Sequence, residues 1–296
     1  MVRVYYSPAY VRSNYAFDTT RKAKWIADSL AQRPIDGIEL VEPISLTEQQ
    51  VAAAHSTTYI DAVRSGSPRS LAESQGFDWD PGLWPMVLSS NGGALAAALA
   101  ALKDGVAGSL SSGLHHARSA HGAGFCTFNG LAIAARHALD AGAQSVLILD
   151  LDAHCGGGTA SLIADEPRIR QLDVSVTAYD RYPSSPRIHL DVVTDAAEYL
   201  PTIRLRLQQL DDLKSHFDLC LYNVGMDPDE GCDTGDRAGI TQTILAEREQ
   251  IVFDWCRARS LPIAFVLAGG YIGPRLDEEE LVELHRLTLS EAGRRR

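Results

Sequence analysis

An apolar run, Ser145-Val146-Leu147-Ile148-Leu149, leads directly into Asp150-Leu151-Asp152-Ala153-His154. In an extended chain alternate side chains share a face, so Asp150, Asp152 and His154 converge on one side. Buried carboxylates without partners are costly, and a cation held between them offsets that cost. The run 217–224 ends in Asn223-Val224-Gly225-Met226-Asp227, which delivers another carboxylate at a strand end. Taken alone Asp227 reads as a turn residue; beside Asp152 and His154 it is the natural third ligand. Two carboxylates and one imidazole leave coordination positions open for water and substrate, as a catalytic centre requires. Zinc is the default ion, and the oxygen-rich set also suits ferrous iron, cobalt or manganese.

Two further groups stand at strand ends. His115-His116 follows the Ser- and Gly-rich segment 109–114, where an acid–base role is open to them. The run 263–268 leads into Gly269-Gly270-Tyr271, and the paired glycines would let Tyr271 present its hydroxyl to a reacting carbonyl oxygen. A core tyrosine with a satisfied hydroxyl is the blander reading, and Tyr271 on its own favours it. Cys155-Gly156-Gly157-Gly158 permits close backbone approach to the same place.

These groups need a scaffold, and the hydrophobic pattern describes one. Residues 1–6 read as a first strand, and 145–149, 172–178, 217–224 and 263–268 as later ones. Helical periodicity covers 21–31, 47–64, 89–103, 130–141, 197–210 and 243–259, with a long Ser-, Pro-, Gly- and Asp-rich loop over 66–84. Strands alternating with helices imply an α/β fold with a largely parallel central sheet covered on both faces. Ligands bind such sheets beyond the carboxyl ends of the strands, where the residues above are placed. The 66–84 loop, with Glu73, Asp78 and Asp80, is expected at the rim of the site.

Composition narrows the function. The 296 residues suffice for one large domain, 1–296. A formal net charge of -11 repels phosphate backbones, so no direct nucleic-acid binding is expected, while cationic substrates are tolerated. The basic end Arg294-Arg295-Arg296 is too short to change this. Five cysteines without close pairing fit a reducing compartment. No signal-length apolar segment opens the chain, and the most apolar stretch, 94–102, is too short for a bilayer, so a cytoplasmic location without membrane association is expected.

His115-His116, Gly124-Phe125-Cys126, Asp150-Leu151-Asp152-Ala153-His154 and Gly269-Gly270-Tyr271 occur in the order found in histone deacetylases, with Asp227 between the last two. From Val4-Tyr5-Tyr6-Ser7-Pro8 to about residue 272 the chain resembles the histone deacetylase and acetylpolyamine amidohydrolase family. Asp152-Ala153-His154, Asp173-Val174 and Tyr182-Pro183 look closest to its class IV branch and bacterial relatives. The resemblance implies the three-layer arginase/deacetylase fold and removal of an acetyl or longer acyl group from an amine. It assigns the metal to Asp152, His154 and Asp227, the general base to His116, and its neighbour, held by Asp150, to His115. It assigns the oxyanion donor to Tyr271, the acyl channel to Gly124, Phe125 and Tyr182, and substrate binding also to Gly270. Asp150 and Ser175 match positions that help hold a structural potassium ion in relatives.

The chain departs from the family at Gly157, where relatives carry an Asp or Asn that orients the second histidine. His116 must then be held by water, backbone or a residue from elsewhere, and an asparagine at 157 is expected to be tolerated unless the backbone there is glycine-only. A second departure is the long stretch 227–239, in which Cys232 either faces the site or is an inert thiol. A two-manganese ureohydrolase shares the fold but needs another acid soon after Asp-x-His, and 155–158 has none. A catalytically silent acyl-amine-binding protein is the remaining rival.

Overall fold

The computed structural model describes residues 1–13, 18–213 and 216–294. Its strands are β1 (Val2–Tyr5), β2 (Ile38–Val41), β3 (Val106–Ser109), β4 (Val146–Asp150), β5 (Ile169–Ser175), β6 (Ile188–Val192), β7 (Leu219–Val224) and β8 (Ile263–Leu267). They form a single eight-stranded sheet in the order β2-β1-β3-β8-β7-β4-β5-β6, and every pairing is parallel. Parallel neighbours require crossovers, which helices supply: α1 (Asp18–Gln32), α2 (Glu48–Val51), α3 (Thr57–Ser65), α4 (Arg69–Ala72), α5 (Leu83–Asp104), α6 (Gly130–Asp140), α7 (Gly157–Ile163), α8 (Tyr199–Asp212), α9 (Gln242–Ala258) and α10 (Glu278–Gly293).

Alternation along β4 shows the three layers. Leu147 and Leu149 enter one core with Ile26 of α1, Leu207 of α8, Phe253 of α9 and Leu289 of α10. Val146 and Ile148 enter the other with Ile60 of α3, Ala98 of α5 and Leu131 of α6. All four β4 side chains are fully buried, and each is worth about 1.5–3 kcal/mol over exposure. That is why this strand reads as an unbroken apolar run.

Several boundaries differ from the sequence expectation. The helix expected at 89 begins at Leu83, so α4 and α5 together shorten the 66–84 loop. By length and composition α5 could cross a membrane, but 72% of its most apolar window is buried in the fold, as a core helix is. The helix expected over 47–64 is two. Thr47 caps α2 through a reciprocal capping box with Gln50, and Ser56 starts α3 by accepting the Tyr59 N–H. The strand expected to run to 178 stops at Ser175 because the N–H groups of Val176 and Thr177 both turn to the Ala153 carbonyl, at 2.9 Å each. Of the basic end, Arg294 pairs with Asp254 and Glu291, while Arg295 and Arg296 lie outside the described residues.

Candidate active site

The carboxyl ends of β3, β8, β7 and β4, adjacent in the sheet, deliver the expected groups to one edge. Asp152 and His154 follow β4, Asp227 follows β7, Tyr271 follows β8 and the histidine pair follows β3. Asp152, His154 and Asp227 place one donor atom each within 4.8 Å of one another, the only such trio among the described residues. His154 Nδ1 stands 3.1 Å from Asp152 Oδ1 and 3.0 Å from Asp227 Oδ2. The backbone fixes the other carboxylate oxygens: Gly269 N–H donates to Asp152 Oδ2 at 2.8 Å and Ala153 N–H to Asp227 Oδ1 at 3.0 Å. Asp227 Oδ2 is buried without a well-directed hydrogen bond. Burial opposes charge on His154, yet the two carboxylates outweigh it and push the imidazole up to about 10. Burial, then the Asp152 charge, raises Asp227 to about 6. A trio that takes up protons this readily is one that a cation fits.

The histidine pair is tied at its outer nitrogens. His115 Nδ1 donates to Asp150 Oδ2 at 2.8 Å, and Asp150 Oδ1 accepts from Asn223 Nδ2 at 2.7 Å. The Nε2 atoms of His115 and His116 approach to 3.1 Å. Burial disfavours the His115 cation, but Asp150 and Asp152 prevail and push it up to about 10. Burial and the His115 charge push His116 down to about 4. One imidazole is therefore a cation and its neighbour a neutral base at neutral pH, which suits His116 to accept a proton.

A cavity of about 630 Å³ opens over these groups, lined by His116, His154, Gly124, Phe125, Tyr179 and Tyr271 among others. Gly124 has φ +51 and a Cβ there would stand 2.4 Å from His116 Cδ2, so only glycine lets the chain pass this close to His116. Phe125 stacks on Phe77 at 5.2 Å, and Ser74, Gln75 and Gly76 also line the cavity, so the 66–84 segment forms part of its wall. Two of that segment's three acids have structural duties: Glu73 accepts the Trp79 N–H and Asp80 that of Gly82. Gly270 has φ +148 and packs toward His285 and Leu281; it turns the chain so that Tyr271 lines the cavity. Burial and the Asp227 and Asp152 charges hold the Tyr271 phenol well above its usual range, so it remains a donor.

Tyr182 does not line the channel. Its hydroxyl donates to Asp173 Oδ2 and accepts from Gln171 Nε2, both at 3.0 Å and both on β5. Tyr179 takes the wall position, edge-on to His116 at 4.9 Å and to His154 at 5.8 Å. Asp180, between the two tyrosines, has φ +58, and this turn sends them in different directions. Ser175 Oγ donates to Asp173 Oδ1 at 2.5 Å, and burial with the Asp150 charge drives the Asp173 pKa well up. Cys232 is fully buried, its Sγ directed at the Thr234 and Tyr271 carbonyls, and burial pushes the thiol up to about 12; it is an inert packing residue.

Sequence reasoning missed Asp180 altogether. Its Oδ2 accepts from His116 Nδ1 at 3.0 Å and from Gly158 N–H at 3.1 Å. A Cβ on Gly157 would stand 2.3 Å from the Asp180 carbonyl oxygen. The expectation that asparagine is tolerated at 157 is thus overturned: the backbone of 157 is not left-handed, but the space is taken.

A buried trio suited to one cation, beside a neutral imidazole and a phenol that share one cavity, defines an amide hydrolase on a three-layer parallel α/β scaffold. Comparison with known proteins agrees. The histone deacetylase domain matches residues 16–283, and the chain belongs to that family, which is metal-dependent and acts on acetyl-amide bonds. It is similar to an uncharacterized protein of Picosynechococcus, 34% identical over 226 residues and 73% of each chain. It also resembles histone deacetylase 2 of Arabidopsis thaliana, 24% identical over 92% of this chain and 75% of that one. The fold is that of acetylpolyamine aminohydrolase from Burkholderia pseudomallei, with TM-score 0.78, 19% identity and 99% of both chains covered.

Proposed function

We propose that this chain, acting as one catalytic domain over 1–296, removes an acetyl or longer acyl group from an amine, with zinc held by Asp152, His154 and Asp227. Acyl-lysine side chains and acylpolyamines are the substrate classes it would take, and ferrous iron or cobalt are the alternative ions. The observation that carries this reading is that His154 of the clustered trio, the neutral His116 and Tyr271 line one cavity. The bound ion would polarise the amide carbonyl and acidify the attacking water. His116 Nε2 takes the proton of that water, and Tyr271 donates its hydroxyl hydrogen bond to the oxygen that becomes negative. A protonated histidine then returns a proton to the departing amine nitrogen, completing hydrolysis to a carboxylic acid and a free amine. The apolar wall of Phe125 and Tyr179 suits an acyl chain, and the net charge of -11 suits an amine that becomes cationic on release. Asp150 and Ser175 are proposed to help hold a structural potassium ion. Five free, buried cysteines support a reducing, cytoplasmic setting.

The test is a panel of acyl-lysine peptides and acylated polyamines of graded acyl length, assayed on metal-defined protein with and without chelator. Chelator-sensitive release of free amine from at least one class is expected. Binding of the acylated amines without any release would favour the silent binding protein instead.

Tyr271→Phe deletes one hydroxyl and is expected to cost about 100- to 1000-fold in turnover, as loss of one oxyanion donor does. Its Michaelis constant should change little. An unchanged kcat with a raised KM would assign Tyr271 to simple binding.

A further inference from the structure

We propose that Asp180, carried by the loop that leaves β5, is the positioning residue of His116, in the space that Gly157 leaves free. The proposal rests on the reading of His116 as the base. Four observations converge on it. Asp180 Oδ2 accepts the His116 Nδ1–H at 3.0 Å, which leaves the lone pair on Nε2, the nitrogen 3.1 Å from His115 Nε2, with the His154 ring 5.9 Å from that of His116. The same oxygen accepts the Gly158 N–H at 3.1 Å, so the carboxylate is anchored to the first turn of α7. Arg118 holds the other oxygen with Nη2 and reaches the Gly157 carbonyl with Nη1 at 3.1 Å. Arg118 is itself fixed because its carbonyl accepts from His55 Nδ1 at 2.9 Å.

The fourth observation concerns space. An added Cβ at Gly157 would lie 2.3 Å from the Asp180 carbonyl oxygen and 2.6 Å from Asp180 Oδ1. A side chain at 157 and the carboxylate of Asp180 therefore exclude each other. The loop reaches this place only because Asp180 adopts φ +58, a conformation rare outside glycine but comparatively open to Asp and Asn. Glycine at 157 and a left-handed acid at 180 are two halves of one arrangement. It delivers from β5 a carboxylate that would otherwise have to come from α7.

The experiment compares metal-loaded wild type with Asp180→Gly, Asp180→Asn and Gly157→Ala. Glycine removes the carboxylate without opposing φ +58. Loss of such an outer partner typically costs about 10- to 100-fold, and this loss is expected in kcat, with KM and metal content unchanged. Asp180→Asn keeps an acceptor for Nδ1–H and should recover most of the turnover. Gly157→Ala leaves every charged group in place but displaces the loop, so it should reproduce the Asp180→Gly signature; it decides alone if the glycine variant does not fold. A second readout needs no turnover: ring-nitrogen NMR shifts of His116 should report the Nδ1–H tautomer in wild type and Asp180→Asn, and mixed tautomers in the other two. Wild-type kcat and an unchanged tautomer in Asp180→Gly and Gly157→Ala would overturn the proposal, as would a loss explained by missing metal or a raised KM. If wild type hydrolyses no amide yet the His116 tautomer responds as described, the functional reading fails and the positioning role stands.

Discussion

Asp152→Ala is expected to bring turnover to background and to strip the protein of its metal, while the fold persists. The first part follows from the donor set. Asp152 supplies one of three donors clustered within 4.8 Å, and His154 with Asp227 alone leave too few to retain an ion. Loss of affinity should exceed the roughly 10- to 100-fold that removal of an outer-shell partner costs. The second part needs a balance of terms. Asp152 accepts hydrogen bonds from the backbone N–H groups of His154 and Gly269, at 3.0 and 2.8 Å. Leaving a buried donor unpaired costs about 1–3 kcal/mol. Against this, the variant relieves the repulsion that, after burial itself, raises Asp227. It also removes the carboxyl that, against burial, His115 and His154 hold well below the usual carboxylate range, so the metal-free variant should fold but unfold below metal-free wild type.

Linkage provides the discriminating measurement. A ligand that binds only the folded state raises its stability, by about 2.7 kcal/mol when present at 100 times its Kd. Chelator should lower the wild-type Tm and leave that of Asp152→Ala unchanged. Elemental analysis of the two proteins and thermal unfolding with and without chelator test both parts. Full activity in rigorously metal-free wild type would remove the central claim.

The contrast between what the chain announces and what it conceals has a physical basis. Asp150, Asp152, His154 and Asp227 could be placed because each ends or follows a strand buried on both faces, whose apolar run ends abruptly at the sheet edge. The short edge strands β2 and β6 carry only partial burial, Ile38–Val41 having no fully buried residue, so no apolar run marks them. The β5 exit loop was misread at Tyr182 for a different reason. Which of Tyr179 and Tyr182 faces the cavity depends on the left-handed turn at Asp180, and that backbone choice has no signature in hydrophobic period. A clue to Asp180 did exist. A missing acid at 157 calls for a substitute, and Asp180 is the first acid after β5. Only the three-dimensional closeness of 157 and 180 turns that clue into an assignment, and it also shows why a larger residue at 157 is excluded.

His116→Ala is expected to cost about 100- to 10,000-fold in turnover, the range for removing a general base, and far more than His115→Ala. The two imidazoles are adjacent but not equivalent. Burial and the His115 charge keep His116 neutral, pushed down to about 4, so it accepts a proton across the whole physiological range. His115 carries its charge, because Asp150 and Asp152 outweigh burial and push it up to about 10, and a protonated imidazole cannot act as the base. Its removal still has consequences, since Asp150 loses the partner that donates to Oδ2 and keeps those that donate to Oδ1, Asn223 and the Asp152 N–H. The sign of the pH effect separates the two roles. In metal-saturated wild type the base is active when unprotonated, so the limb set by His116 should lie well below the ordinary histidine value of about 6.5. His115→Ala deletes a cation that disfavours protonation of His116, so that limb should move upward and activity at pH 6 should fall more than activity at pH 8. His116→Ala should instead lower activity at every pH without moving a limb upward. Equal losses in the two variants, or an acid limb that stays in place in His115→Ala, would show that the base cannot be assigned to His116.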